Sequence, residues 1–266
     1  MTRIFVEGIG LFGPGLNGWQ VSRRLLTGDE DYAYAPTVVT ASELLPAAER
    51  RRTGLPVKLA LAAGSAAFAH AARDAATTAT VFSSSSGDGE NLHHMCSALA
   101  ATERDISPTR FHNSVHNAPA GYWSIATRSH APSTSLCCHD ASFAAGLLDA
   151  ASQVTVDDRP VALISYDQPY PEPLHAVRSI GAGFGVALVM APQATRQSFA
   201  ALDIHLVSGP ASATNMTDAG LETLRVGVPA ARCLPLLAAL ARGTAAVVIL
   251  AYGAENCLRV AVTPWQ

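Results

Sequence analysis

The sequence predicts a layered α/β protein, and three features indicate this fold class. An apolar strand over residues 4–10 runs into a glycine-rich turn, and an alanine-rich segment over 55–76 has helical spacing. Residues 131–151 are expected to form a buried strand that turns sharply into a buried helix. Alternating strands and helices are typical of layered domains. At 266 residues and 49% apolar side chains, the chain can bury a sizeable core.

Composition narrows the class of function. The formal net charge is −3, Lys58 is the single lysine, and Arg50, Arg51 and Arg52 form the one basic run, which we expect on a solvated helix face. Nucleic-acid binding is therefore not expected. No apolar run reaches about 18 residues and the first residues lack the apolar core of a signal peptide, so we expect a cytoplasmic protein without membrane contact. Five cysteines without C-x-x-C spacing fit reduced thiols: Cys96, Cys137, Cys138, Cys233 and Cys257.

The first strand raises the question of a cofactor, because Gly8, Gly10 and Gly13 match the G-x-G-x-x-G spacing of dinucleotide-binding proteins. Pro14 and Gly15 disfavour a helix at that point, and no acidic residue ends a second strand about 20 residues later. We therefore predict no cofactor. A helix over 19–26 and a covering loop over 29–49 follow.

The middle of the chain continues the alternation. The helix over 55–76 has a small-residue face, and a strand over 80–87 ends in serines that are also compatible with a flexible loop. A helix over 91–101 carries His93 and His94, which point about 100° apart, so no metal site is predicted there. A strand buried on both faces is expected over 159–165, and a proline-rich loop follows over 167–173.

The later part is predicted from apolar runs and turn residues. A strand is expected over 181–190, further strands near 201–207 and 222–226, a helix near 232–242, and a closing hairpin over 245–263.

The turn Cys138-His139-Asp140 is a candidate site because it places nucleophile and acid/base residue types at the start of a helix. Two interpretations remain open from these residues alone. The turn is a site of covalent catalysis, or Asp140 is an N-cap residue while Cys137 and Cys138 are small core side chains.

Three motifs give the chain a resemblance to a known family. Gly8-Ile9-Gly10 with Pro14, the pattern I-S-P…N-x-x-A-G-x-x-x-I over 106–125, and the spacing from Pro132 to the turn at Asp140 resemble the β-ketoacyl synthases of the thiolase fold. In that family the glycines of the first motif serve tight turning and close packing, and the eighth residue after the proline is the acyl-accepting cysteine. Here that position holds Asp140, so the turn is kept while the nucleophile is missing.

The resemblance implies a thiolase-like, layered α-β-α fold with a complete first half, residues 1–192, and a strongly shortened second half, residues 193–266. The family's second half supplies two histidines and a lysine to catalysis. This chain has no lysine after Lys58, and His205 is the single histidine after His175. The segment 252–256 resembles the family's terminal turn.

An absent nucleophile implies a non-catalytic relative, and the pattern resembles the chain length factors, including those of aryl polyene pathways. Such a subunit pairs with an active β-ketoacyl synthase, contacts an acyl carrier protein transiently, and limits acyl or polyene elongation. The resemblance implies a set of dimer-interface and acyl-tunnel residues: Arg110, Phe111, His112, Val115, His116, Asn117 and Trp123. Phe111 as plain core, and His112 or His116 as surface residues, are the open structural alternatives.

A second hypothesis belongs to a different class of function. Cys138 with His139 or His116 would serve a free-standing thiol-dependent acyltransferase or hydrolase. Adjacent cysteine and histidine seldom have the mutual geometry for proton transfer, which disfavours it. A purely structural oligomer is the third possibility.

Overall fold

A computed structural model describes residues 2–209 and 211–265 of the chain. The strands are β1 Thr2–Gly13, β2 Leu16–Asn17, β3 Ala79–Ser83, β4 Ser133–Leu136, β5 Val161–Asp167, β6 Phe184–Ala191, β7 Ala200–Ser208, β8 Ala246–Tyr252 and β9 Asn256–Pro264. The helices are α1 Trp19–Thr27, α2 Ala47–Arg50, α3 Leu55–Ala71, α4 Gly89–Ala100, α5 Pro108–His112, α6 Ala118–Thr127, α7 Ser142–Val156, α8 Leu174–Val177, α9 Ala219–Gly227 and α10 Leu234–Arg242.

One mixed sheet organises the molecule, with strand order β4-β3-β5-β6-β1-β7-β9-β8 and β2 attached to β1. Strand β3 is parallel to β4 and β5, and the other pairs are antiparallel. Outward from the central β1–β7 pair, the strand order β1-β6-β5 on one side corresponds to β7-β9-β8 on the other side. Within the described residues, β3 and β4 have no counterpart beyond β8.

The sheet separates two apolar cores. One core joins a face of the sheet to residues of α1, α7 and α10, and the other lies between the opposite face and helices α3 and α6. The second core takes sheet residues from β3, β5 and β6 but none from β7, β8 or β9. The α-β-α layering is therefore confirmed in the first half, where helices pack on both faces of the sheet. In the second half the described helices pack on one face only.

Close packing of α3 on β1 explains the glycines of the first strand. A Cβ atom on Gly10 would lie 1.9 Å from the carbonyl oxygen of Ala63, and one on Gly8 would lie 2.2 Å from that of Ala67. Both contacts are with helix backbone, so only hydrogen fits at these positions. This agrees with the close packing expected for these glycines. The turn, however, begins after Gly13, because β1 continues through that residue.

Two sequence predictions about elements are wrong. Residues 222–226 belong to helix α9, because Asp218 caps that helix by accepting from the backbone N–H of Leu221 at 2.8 Å. Strand β4 was expected to be buried, but it is the edge of the sheet, where Ser133 is exposed and the next three residues are half-buried. Strand β5 is buried along its length, as predicted.

The described residues contain neither a membrane-spanning helix nor a metal-binding cluster. Among the helices assigned there, none has the length and apolar content needed to cross a bilayer. Residues 2–209 and 211–265 also contain no group of three or more histidine, cysteine or acidic side chains placed to hold a metal ion.

Candidate functional site

The turn between β4 and α7 is built from local hydrogen bonds. The hydroxyl of Ser142 accepts from the backbone N–H of Cys138 at 3.0 Å and donates to the carbonyl oxygen of His139 at 2.7 Å. His139 has a φ of 49°, in the left-handed region, and a short 3-10 helix over His139–Ala141 leads into α7. Ser142 therefore holds the turn. The N-cap residue of α7 is Ala141, so the alternative interpretation of Asp140 as the N-cap does not hold.

Asp140 is instead held by two arginines from distant segments. Nη2 of Arg178 lies 2.9 Å from its Oδ1, and Nη2 of Arg232 lies 3.0 Å from its Oδ2. Partial burial alone would raise the pKa of Asp140, but the Arg178 hydrogen bond and the charge of Arg232 bring this pKa below its ordinary value. The carboxylate is therefore kept ionised and both oxygens are engaged, which makes it a poor nucleophile.

The two cysteines of the turn have no catalytic arrangement in the part of the chain that the structure describes. Cys137 is exposed and its thiol donates to the carbonyl oxygen of Ser85 at 3.1 Å. Cys138 is half-buried, and its described hydrogen bonds are made by its backbone: the N–H donates to the hydroxyl of Ser142, and the carbonyl oxygen accepts from the N–H of Ala141. His116 contacts the carbonyl oxygen of Ser84 at 3.3 Å, so no described contact joins a thiol to an imidazole base.

Asp167 lies at the end of β5 and connects the segments around the turn. Its Oδ1 accepts from the backbone N–H of Ser85 at 2.8 Å and from the hydroxyl of Ser84 at 3.2 Å, while its Oδ2 accepts from the N–H of Ala230 at 2.8 Å. Complete burial raises the pKa of Asp167 to about 7, although these hydrogen bonds act in the opposite direction. The serine segment is thus a buried turn, contrary to the flexible-loop alternative.

The segment that carries the predicted interface residues forms two helices. Helix α5 ends at His112, and α6 begins at Ala118, so residues 113–117 form the turn between them. Phe111 is 66% exposed and Val115 is 53% exposed, which excludes the alternative that Phe111 is plain core. The ring of His112 packs edge-on against Tyr122, and Asn91 donates to the carbonyl oxygen of Arg110 at 2.7 Å.

Trp123 does not share this exposure. It is 2% exposed and packs in the core with Phe68 and Phe82, so its placement on an interface was wrong. The apolar residues that precede it in sequence, Ala120 and Tyr122, are buried as well.

Strand β4 leaves one edge of the sheet open beside this segment. The carbonyl groups of Pro132 and Leu136 accept from β3, so with the two-residue period of a strand the backbone groups of Ser133 and Ser135 point away from the sheet. A groove at this edge is lined by Ser133, Ser135, His116, Asn117, Ala120, Gly121 and Ser124. At the opposite edge, Thr214 pairs with both backbone groups of Ile249.

The signals for several of these residues were weak in the sequence. Arg178 and Arg232 lie 38 and 92 residues from Asp140, so no local spacing joins them. Asp167 offered one available signal, a carboxylate directly at the end of a fully apolar strand.

Comparisons with known proteins agree with the fold. The family model of the β-ketoacyl synthase N-terminal domain matches residues 19–250. No curated protein sequence matches the chain. A chain of the complex between the ketosynthase ApeO and its chain length factor ApeC, from Xenorhabdus doucetiae, is 20% identical, with a TM-score of 0.74 over 98% of this chain and 99% of that one.

Two further solved structures are similar. The ishigamide ketosynthase/chain length factor is 16% identical, with a TM-score of 0.75 and full coverage of both chains. The complex AntDE:AntF, a type II polyketide synthase acyl-carrier protein with its ketosynthase bound to the hexaketide, is 11% identical, with a TM-score of 0.74 and 99% coverage of each chain.

Proposed function

Because this chain belongs to the β-ketoacyl synthase N-terminal domain family, we propose that it is a non-catalytic chain length factor. It would pair with an active β-ketoacyl synthase in the cytoplasm and limit acyl or polyene elongation on a carrier protein. The similar structures that contain a ketosynthase with a chain length factor support this proposal. So does the strand arrangement, with residues 1–192 as the first-half core and 193–266 as the reduced second half.

The state of Asp140 is the observation that carries the proposal. Claisen condensation needs a nucleophile that accepts the acyl chain, together with donors that stabilise the oxyanion. At the strand-to-helix turn the chain presents an ionised carboxylate whose two oxygens bind Arg178 and Arg232. Loss of the nucleophile from a catalytic unit lowers turnover on the order of 10⁶-fold. Condensation is therefore assigned to the partner subunit.

The open edge supports the pairing with a partner. Outward-facing N–H and C=O groups of an edge strand are a template for another strand, and proteins usually cover or interrupt such edges. Here Ser133 and Ser135 offer these groups beside His116 and Asn117, which line the same groove. A stable partner interface of this kind typically buries about 2,000–5,000 Å² in total.

The segment at this edge is the proposed determinant of chain length. His116 and Asn117 line the groove beside Ser135, and the preceding turn carries Val115 toward solvent. A partner seated on the edge would place its acyl tunnel against these side chains. We assign this role to six residues: Arg110, Phe111, His112, Val115, His116 and Asn117.

Assembly provides the direct test. Expressed alone, the chain should be self-associated and less soluble than the complex, whereas co-expression with its ketosynthase should give a soluble heterodimer. The complex carrying Asp140→Ala should keep its condensing activity, measured with carrier-bound acyl and malonyl substrates. Loss of condensation with the fold and the complex both intact would make Asp140 catalytic and contradict the proposal, as would a stable monomer that binds no ketosynthase.

A further inference from the structure

Two guanidinium groups converge on one carboxylate at the turn before α7. Arg178 follows α8 and Arg232 lies in the 3-10 helix Ala230–Cys233, and each donates one N–H to a different oxygen of Asp140, at 2.9 and 3.0 Å. Each arginine therefore makes one charge-assisted hydrogen bond, and the two together engage both oxygens of the carboxylate. The two arginines come from segments that share no sequence motif, so the fold alone brings them together.

The side chain of Arg178 is held in place independently of Asp140. Arg178 donates to the hydroxyl of Ser85 at 2.6 Å, and the N–H of Ser85 is fixed by buried Asp167. The side chains of both arginines are about three-quarters buried, with exposed fractions of 24% and 29%. Among the described residues their ion pairs go to Asp140 alone, so the three side chains carry a net positive charge.

We propose that Arg178 and Arg232 form a binding site for a small carboxylate and that the chain's own Asp140 occupies it. The site would therefore bind a free carboxylate once the Asp140 carboxylate is removed. In the native chain it is closed to external carboxylates, including the malonyl group that an active ketosynthase accepts. The inference concerns this chain alone and requires no partner, so its failure would leave the proposed function untouched.

Formate rescue of Asp140→Ala is the test. This substitution removes the carboxylate but keeps Cβ, so formate matches the size and charge of the group that was removed. The thermal midpoint of the variant should rise saturably with sodium formate, compared with sodium chloride at equal ionic strength. A ligand of three heavy atoms is expected to half-saturate at or above about 1 mM. At five times that concentration the rise should be about 2–4 °C, while the wild type shows none.

The chain offers a matched control. Asp157 is 40% exposed, close to the 38% of Asp140, but it pairs with the single guanidinium of Arg159 at 2.6 Å. Asp157→Ala should show no formate effect, and the double variant Asp140→Ala, Arg178→Gln should lose it. Asp140→Ser is measured in the same way in case the alanine variant does not fold. The proposal is overturned if folded Asp140 variants show no formate-specific rise, or if Asp157→Ala or the double variant shows an equal one.

Discussion

Replacement of Ser135 by proline tests whether the open edge of β4 binds the partner. The N–H of Ser135 faces away from β3, whereas the contacts that hold β4 in the sheet use the backbone of Pro132 and Leu136 and, by the same period, Thr134. Proline at 135 thus removes an outward donor and places its ring on the open side. The fold of the chain itself should remain.

The size of the effect follows from the bond that is lost. A backbone hydrogen bond contributes about 1 kcal/mol net, and the partner's acceptor left unpaired at a buried interface costs about 1–3 kcal/mol more. The expected loss of about 2–4 kcal/mol corresponds to a roughly 30- to 700-fold increase in Kd for the ketosynthase.

The assay is titration of purified ketosynthase against wild type, Ser135→Pro and Ser135→Ala, with circular dichroism as the check of fold. The alanine variant keeps the backbone N–H and should bind like the wild type. A folded Ser135→Pro variant that binds as tightly as the wild type would refute pairing at this edge. Equal weakening by Ser135→Ala would show that the hydroxyl, and not the backbone, makes the contact.

Two further predictions concern stability. Gly10→Ala should lower the free energy of unfolding by at least about 1–3 kcal/mol, because its Cβ meets the backbone of α3. Gly121→Ala in α6, where a Cβ meets nothing within 4 Å, should change it by about 1 kcal/mol or less, and urea unfolding compares the two. The pKa of about 7 at buried Asp167 means that the folded chain keeps a proton that the unfolded chain releases above its ordinary pKa of 3.8. Stability should therefore fall as pH rises from about 4 to 7, by up to about 1.4 kcal/mol per pH unit, and level off above. Asp167→Asn should remove this slope in urea unfolding at each pH, and an unchanged slope would exclude Asp167 as its source.

Elements with strong local patterns were predictable from sequence. The alanine-rich helix α3, the apolar strand β5 and the small glycines of β1 follow from periodicity and side-chain size, because each packs against a buried surface. Helix α9 was missed because its residues 222–226 alternate like a strand. Its cap, Asp218, lies four residues before that run and was the available signal.

The candidate site was less predictable because its contacts join distant segments. The turn at Asp140 was identified from its spacing to Pro132, but its two arginine partners were not, and the N-cap position of α7 falls on Ala141 and not on the aspartate. Trp123 shows the same limit. Its aromatic side chain was expected on an interface, and only the packing of α6 against α3 shows that it is core.

Product length measures the central claim most directly. If the segment 110–116 ends the partner's acyl tunnel, Phe111→Ala should let the complex make longer carrier-bound chains at similar initial rates, because a packed wall resists one extra methylene by roughly 1–3 kcal/mol. Mass spectrometry of the intermediates is compared across alanine variants at Arg110, Phe111, His112, Val115 and His116. A shift to longer chains without slower initiation is the predicted result. An unchanged length distribution in all five variants, with the heterodimer intact, would contradict the assignment of this chain as a chain length factor.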